Sequence, residues 1–215
     1  QAIAMIDNAI DQQQKIVIVG DYDADGATST AMMMLALGEM GTDVEYLVPD
    51  RFKYGYGLTP AIADLVFVTY TPDLLITVDN GISSHAGVEQ AQAHGMQVII
   101  TDHHLTTKAT PKAEAVVNPN QLGCDFPSKA LAGVGVAFYL LANLSSQRAK
   151  QHKSAAKMSH YLDLVALGTY ADVASLDYNN RILVDNGLKR IQTGQCRAGI
   201  LAILDIAGRD PTQLQ

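Results

Sequence analysis

The 215-residue chain has no apolar run near the roughly 20 consecutive positions that a membrane-crossing helix requires, so no membrane partner is expected. Its first residues lack the basic, apolar and small-residue parts of a secretory signal, which makes the cytoplasm the expected compartment. Cysteine is scarce. Cys124 and Cys196 stand far apart without CxxC spacing, so neither a thiolate zinc site nor a disulfide framework is indicated and both read as ordinary thiols. Low-complexity tracts and internal repeats are missing too. Cationic residues are few, with 15 Lys and Arg against 22 Asp and Glu, and the formal charge of −7 argues at first against a polyanionic partner. The deficit is uneven, however: residues 1–120 carry 15 acids and 5 bases, whereas residues 121–215 carry 7 acids and 10 bases. Acids gathered to hold divalent cations are neutralised when the cations bind, so the working charge of the first half is less negative than counted.

What is present is 48% hydrophobic residues, enough to bury the core of one large or two small domains. Five short Val- and Ile-rich runs, at 15–20, 44–48, 74–78, 97–101 and 114–118, have the length and composition of strands buried on both faces. Helical patterns lie between the first four: 27–41 ending at a glycine, 59–67 opening on a Thr cap with Pro next, and 83–95 ending at a glycine. This alternation predicts an α/β fold, a doubly wound, mainly parallel five-stranded sheet flanked by helices over about 1–127. From 128 to 215 the pattern is helical, with the polar stretch 145–159 read as a mobile linker between helices.

The stretch "GDYDADG" places Asp21, Asp23 and Asp25 directly after the first strand, Asp79 ends the third in "TVDNG", and Asp102, His103 and His104 end the fourth in "TDHH". In open α/β sheets functional groups collect at these carboxyl ends. A lone aspartate there is more often a helix cap or turn residue, but several carboxylates converging with two imidazoles would repel one another or take up protons unless cations relieve them. Carboxylate and imidazole without thiolate suit Mn²⁺ or Mg²⁺, and the histidine favours Mn²⁺. In a tight turn Asp23 and Asp25 would diverge toward two ions, with Asp79 placed to bridge them, the arrangement that hydrolyses phosphoesters.

Other features are less specific. Gly133 and Gly135 open a helix whose free N–H groups are candidates to cradle phosphate, with close helix packing as the plain alternative. Arg51 and Lys53 lie in a loop with Tyr54 and Tyr56, a mixture of cations and stacking rings suited to single-stranded nucleic acid; a solvated loop is the alternative. Arg181 either reaches phosphate or merely begins a helix. The segment 148–157 reads as solvated surface, His85 as a residue near the site, His94 as a surface residue, and Met32 to Met34 as core filling.

Four motifs in order, "GDYDADG", "TVDNG", "TDHH" and "LGTYADV", resemble those of the DHH phosphoesterase superfamily, with "VPDRFKYGYGL", "NGISSHAGVE", "VNPN", "FPSKALAGVGVAFYL" and "NNRILVDNGL" pointing to its bacterial exonucleases specific for single-stranded DNA. The resemblance runs from about residue 8 to 207. It implies that Asp23 and Asp79 bind one Mn²⁺ or Mg²⁺, and that Asp25, Asp79, His103 and Asp172 bind the other. It also implies that His104 contacts the scissile phosphate and that Asp102 orients the imidazoles. A related pyrophosphatase family has histidine where this chain has Val19, which leaves Asp21 or water to complete the first ion's shell. The implied activity is 5′ to 3′ hydrolysis of single-stranded DNA in repair and recombination, alongside proteins of those pathways. The implied family protein is longer, with a second domain and an oligonucleotide-binding barrel beyond this catalytic domain. Two alternatives stand beside it: hydrolysis of pyrophosphate or very short oligonucleotides, and a non-catalytic receiver-like or nucleotide-binding module. A receiver needs a strand-end lysine, which neither "VIITD" nor "AVVNP" supplies.

Overall fold

The computed structural model describes residues 1–106 and 108–214. Five parallel strands form one sheet: β1 (Ile16–Gly20), β2 (Val44–Leu47), β3 (Leu74–Val78), β4 (Gln97–Thr101) and β5 (Ala115–Val117), in the order β2-β1-β3-β4-β5. The register sets Ile16 beside Leu74 and Leu74 beside Gln97, so the carboxyl ends of the three central strands finish level. Every residue of β1 and β3 is buried, as their unbroken apolar runs require. The expectation fails for β2. It is an edge strand, with Glu45 and Tyr46 exposed.

Alternation along the strands divides the core in two. Ile16, Ile18, Leu74, Ile76 and Ile99 face α1 (Ala2–Asp11), α2 (Ala24–Glu39), α6 (Gly133–Lys150) and α7 (Leu162–Ala171), and α8 (Tyr178–Gln192) and α9 (Ala198–Ile206) continue that layer. Val17, Val19, Leu75, Val98 and Ile100 face α4 (Pro60–Tyr70) and α5 (His85–Ala93). The short helix α3 (Arg51–Tyr54) follows β2. Among the described residues no helix is long and apolar enough to cross a membrane.

Three expectations need correction. Helix α2 begins at Ala24 rather than Ala27, because the Asp23 side chain caps it by accepting the Gly26 N–H. Asp25 therefore sits in its first turn, not in a free loop. The stretch 145–159 is no mobile linker: α6 runs on to Lys150, and Arg148 is buried, pairing with Asp7 and Asp11 of α1, which Lys153 also meets. That pairing also removes 148–157 from the class of plain solvated surface. Helix α1 is an element that the apolar runs alone do not announce, although Ala2, Ile6, Ala9 and Ile10 mark its buried stripe.

Candidate metal centre

The strand order changes direction between β1 and β3, and the crevice at such a switch point lies outside their carboxyl ends. Asp79, the residue that follows β3, is buried there with φ 61°, a left-handed conformation costly for a residue with a side chain. Asn80 locks the turn: its side-chain amide donates to the carbonyls of Val19 and Val78, and the Thr77 hydroxyl donates to the Asn80 carbonyl. Asp25 is buried beside it and accepts the Gly133 and Val134 N–H groups at 2.6 and 2.9 Å. A Cβ on Gly133 would lie 2.7 Å from the Asp79 side chain, so only glycine lets α6 come this close.

His103 joins the group from the end of β4. Its Nε2 lies 3.1 Å from Asp79 Oδ1 and 3.9 Å from Asp25 Oδ2, while Nδ1 lies 3.8 Å from Asp172 Oδ2 at the C-cap of α7. The 3.1 Å pair is not aligned as a hydrogen bond. Asp79 Oδ1 and His103 Nε2 are both buried without a hydrogen-bond partner. Burial raises Asp25 to about 6 against the pull of the Val134 N–H and His103. Burial likewise raises Asp79 to about 7, with Asp25 adding to the rise and His103 opposing it. Burial disfavours the His103 cation, but the adjacent Asp79, Asp172 and Asp25 outweigh it and raise the ring to about 9. Asp172 is also raised by burial.

Within this rim, potential ligand atoms of Asp21, Asp23 and Asp79 lie within 4.8 Å of one another, as do those of Asp25, His103 and Asp172, and those of Asp79, His103 and His104. Carboxylate oxygens and an imidazole, buried together with Asp79 Oδ1 and His103 Nε2 unpartnered, fit a hard or borderline divalent cation that would displace their protons. His104 differs from its neighbour: Nδ1 is 2.7 Å from Asp102 Oδ1. Burial works against the Asp102 anion, yet His104 and the Ile82 and His104 N–H groups hold it below the usual carboxylate range.

The model of the DHH family, N-terminal domain, matches residues 15–169. The chain belongs to the DHH family. It is 52% identical to the single-stranded-DNA-specific exonuclease RecJ of Dickeya dadantii, over 100% of this chain and 38% of that protein. Identity to the Escherichia coli protein of the same name is 50%, with the same coverage. A crystal structure of RecJ in complex with Mn²⁺ from Thermus thermophilus superposes with a TM-score of 0.80 at 34% identity, over 98% of this chain and 29% of that one. The chain thus spans less than two-fifths of the length of the curated relatives it matches.

In this DHH domain Asp21, Asp23, Asp25, Asp79, Asp102, His103, His104 and Asp172 all reach one rim. The phosphate cradle expected at Gly133 and Gly135 is corrected: the Gly133 N–H is taken by Asp25 and that of Gly135 by the Ala132 carbonyl, so neither is free. Arg51 lies in α3 and is spent on Asp21 at 2.9 Å while standing over the rings of Tyr22 and Tyr56. Lys53 sits over Tyr54, which packs inward on the second core and does not offer a free stacking face. Phe52, Tyr22 and Tyr56 are all exposed in this region, and Phe52 is the one of the three without Arg51 beside its ring. Arg181 is exposed in the first turn of α8, with no ion pair among the described residues. His85 lines a cavity of about 420 Å³ beside His104, and His94 pairs with Asp64 and stacks on Phe67. Asn118 and Asn120, to which the sequence patterns assign no role, hold the carbonyls of His104 and His103.

Proposed function

We propose that the chain is the catalytic domain of a metal-dependent exonuclease that hydrolyses single-stranded DNA from its 5′ end. The observation that carries this reading is the buried pair of idle atoms, Asp79 Oδ1 and His103 Nε2, 3.1 Å apart and ringed by Asp23, Asp25 and Asp172. Relatives named as single-stranded-DNA-specific exonucleases, and a Mn²⁺ complex of one of them, supply the substrate class and the ion. Asp23 and Asp79, with Asp21, would hold one Mn²⁺ or Mg²⁺, and Asp25, Asp79, His103 and Asp172 the second. When bound, such ions lower the pKa of a water and offset charge on the phosphoryl group. The remaining work belongs to side chains. The Gly133 and Val134 N–H groups fix Asp25, the left-handed turn fixes Asp79, and Asp102 fixes the ring of His104, which would face the scissile phosphate. The same reading places the enzyme in the cytoplasm beside proteins of DNA repair and recombination.

The test is a Mn²⁺ soak read by anomalous scattering, together with degradation of a 5′-labelled single strand. Two peaks at the rim and products released from the 5′ end are expected. Asp79→Asn should lower turnover by more than about a hundredfold, since a shared ligand is lost. Unchanged two-site Mn²⁺ affinity in that variant would contradict the assignment.

A further inference from the structure

The segment that follows α3 is built to aim one side chain. Gly55 and Gly57, with φ of 82° and 72°, flank Tyr56 and turn the chain back on itself. Leu58 is buried in the second core, and its N–H donates to Ser84 Oγ at 3.0 Å. A Cβ on Gly57 would lie 2.9 Å from that same oxygen. At the other end Arg51 is paired with Asp21 and stands 6.0 Å from the centroid of the exposed Tyr56 ring. Between these anchors the Tyr56 hydroxyl reaches 3.3 Å from His104 Nε2, with the two rings edge to face and their centroids 6.0 Å apart.

His104 is thereby held at both nitrogens. Asp102 Oδ1 already accepts the His103 and His104 N–H groups, and Oδ2 accepts the Ile82 N–H. A carboxylate so placed is an acceptor only, so Nδ1 carries a proton and donates to it. Nε2 then meets the Tyr56 hydroxyl, which donates to it when the ring is neutral and accepts from it when the ring is an imidazolium.

We propose that Tyr56 is a positioning residue for His104, acting through the imidazole and not as a stacking platform for a base. The inference rests on the reading of His104 as the phosphate-facing group of a hydrolase. A loop that binds Asp21 at one end of the rim and His104 at the other also sets the distance between them.

Tyr56→Phe keeps the ring and removes only the hydroxyl that meets Nε2. It should lower kcat roughly tenfold, the scale of one lost hydrogen bond, with KM and Mn²⁺ stoichiometry unchanged. In a His104→Ala background the same change should cost nothing further. Independently of activity, the imidazole nitrogens of the Mg²⁺-loaded protein are read by long-range proton–nitrogen spectra, with His104 assigned by its loss in His104→Gln. Tyr56→Phe should move the Nε2 resonance toward that of a free imidazole nitrogen. An unmoved resonance, a raised KM at constant kcat, or a loss that persists without His104 would each overturn the proposal. Absence of strand hydrolysis by the wild-type protein would remove the hydrolase reading instead, leaving the spectrum to decide whether Tyr56 holds His104.

Discussion

His103 and His104 are neighbours in the chain, yet their surroundings assign them different tasks. Three carboxylates surround the His103 ring, and its Nε2 has no hydrogen-bond partner, the condition of a ligand waiting for a cation. His104 is half exposed and engaged at both nitrogens by Asp102 and Tyr56. His103→Ala should therefore weaken Mn²⁺ binding itself by about ten- to a hundredfold and take turnover down with it. His104→Ala should lower turnover to a similar degree while leaving metal occupancy near normal. Calorimetric titration of both variants beside their turnover numbers separates the two. Because His104 also lies within 4.8 Å of Asp79 and His103, a Mn²⁺-soaked crystal with both imidazoles on metal would refute the division.

At the scale of elements the site depends on how closely the start of α6 meets the turn after β3. Alanine at Gly133 would place its Cβ 2.7 Å from Asp79 and disturb the two N–H groups that hold Asp25. Gly133→Ala should cost about 1–3 kcal/mol of stability and weaken Mn²⁺ binding. Gly135→Ala, whose Cβ meets only the Leu131 side chain, most closely Cδ2 at 3.1 Å, should leave binding intact. Thermal melts with calorimetry test the pair, and equal Mn²⁺ affinities would refute the geometric reading. The strands that carry the site were legible in the sequence because central parallel strands are continuous apolar runs: β3 and β4 fall on the residues their patterns mark. The start of α2 was not, since an aspartate cap and an aspartate in the first turn look like loop until the Gly26 N–H is seen to need a partner. The polar end of α6 was hidden for a different reason. Arg148 can be buried only because Asp7 and Asp11, 141 and 137 positions away, come to meet it, and no local period records that. The acidic rim could be read from strand ends alone, whereas the Tyr56 contact depends on where a loop folds.

Across the whole molecule the rim stores charge that the fold alone does not favour, and this gives the metal-free protein an unusual pH dependence. Asp25 and Asp79 are raised from 3.8 to about 6 and about 7, and His103 from 6.5 to about 9. In each case the folded form binds the proton more tightly than the unfolded chain, so the stability these groups lend is complete below their unfolded values and is lost as pH rises through the folded ones. Without metal, stability should fall between about pH 4 and 7 through the carboxylates and on toward 9 through His103. Saturating Mn²⁺, which binds the deprotonated forms, should reverse the trend, so that the gap between loaded and chelated melting temperatures widens with pH. A chelated protein whose melting temperature rises from pH 5 to 8 would exclude this account. Charge also limits what the chain can do with a long strand. Its formal charge is −7, Arg51 is spent on Asp21 and Lys53 lies over Tyr54, so few cations near the rim are left for phosphates. With about two phosphate contacts, the logarithm of affinity should fall with the logarithm of salt at a slope of only about −1.4. The full-length Dickeya dadantii relative, of which this chain spans 38%, has far more sequence from which to build a basic groove. On a 5′-labelled single strand with Mn²⁺ across a salt series, this chain should bind more weakly, show the shallower slope and release fewer nucleotides per encounter. Equal slopes and equal processivity would place the whole strand-binding surface within these 215 residues.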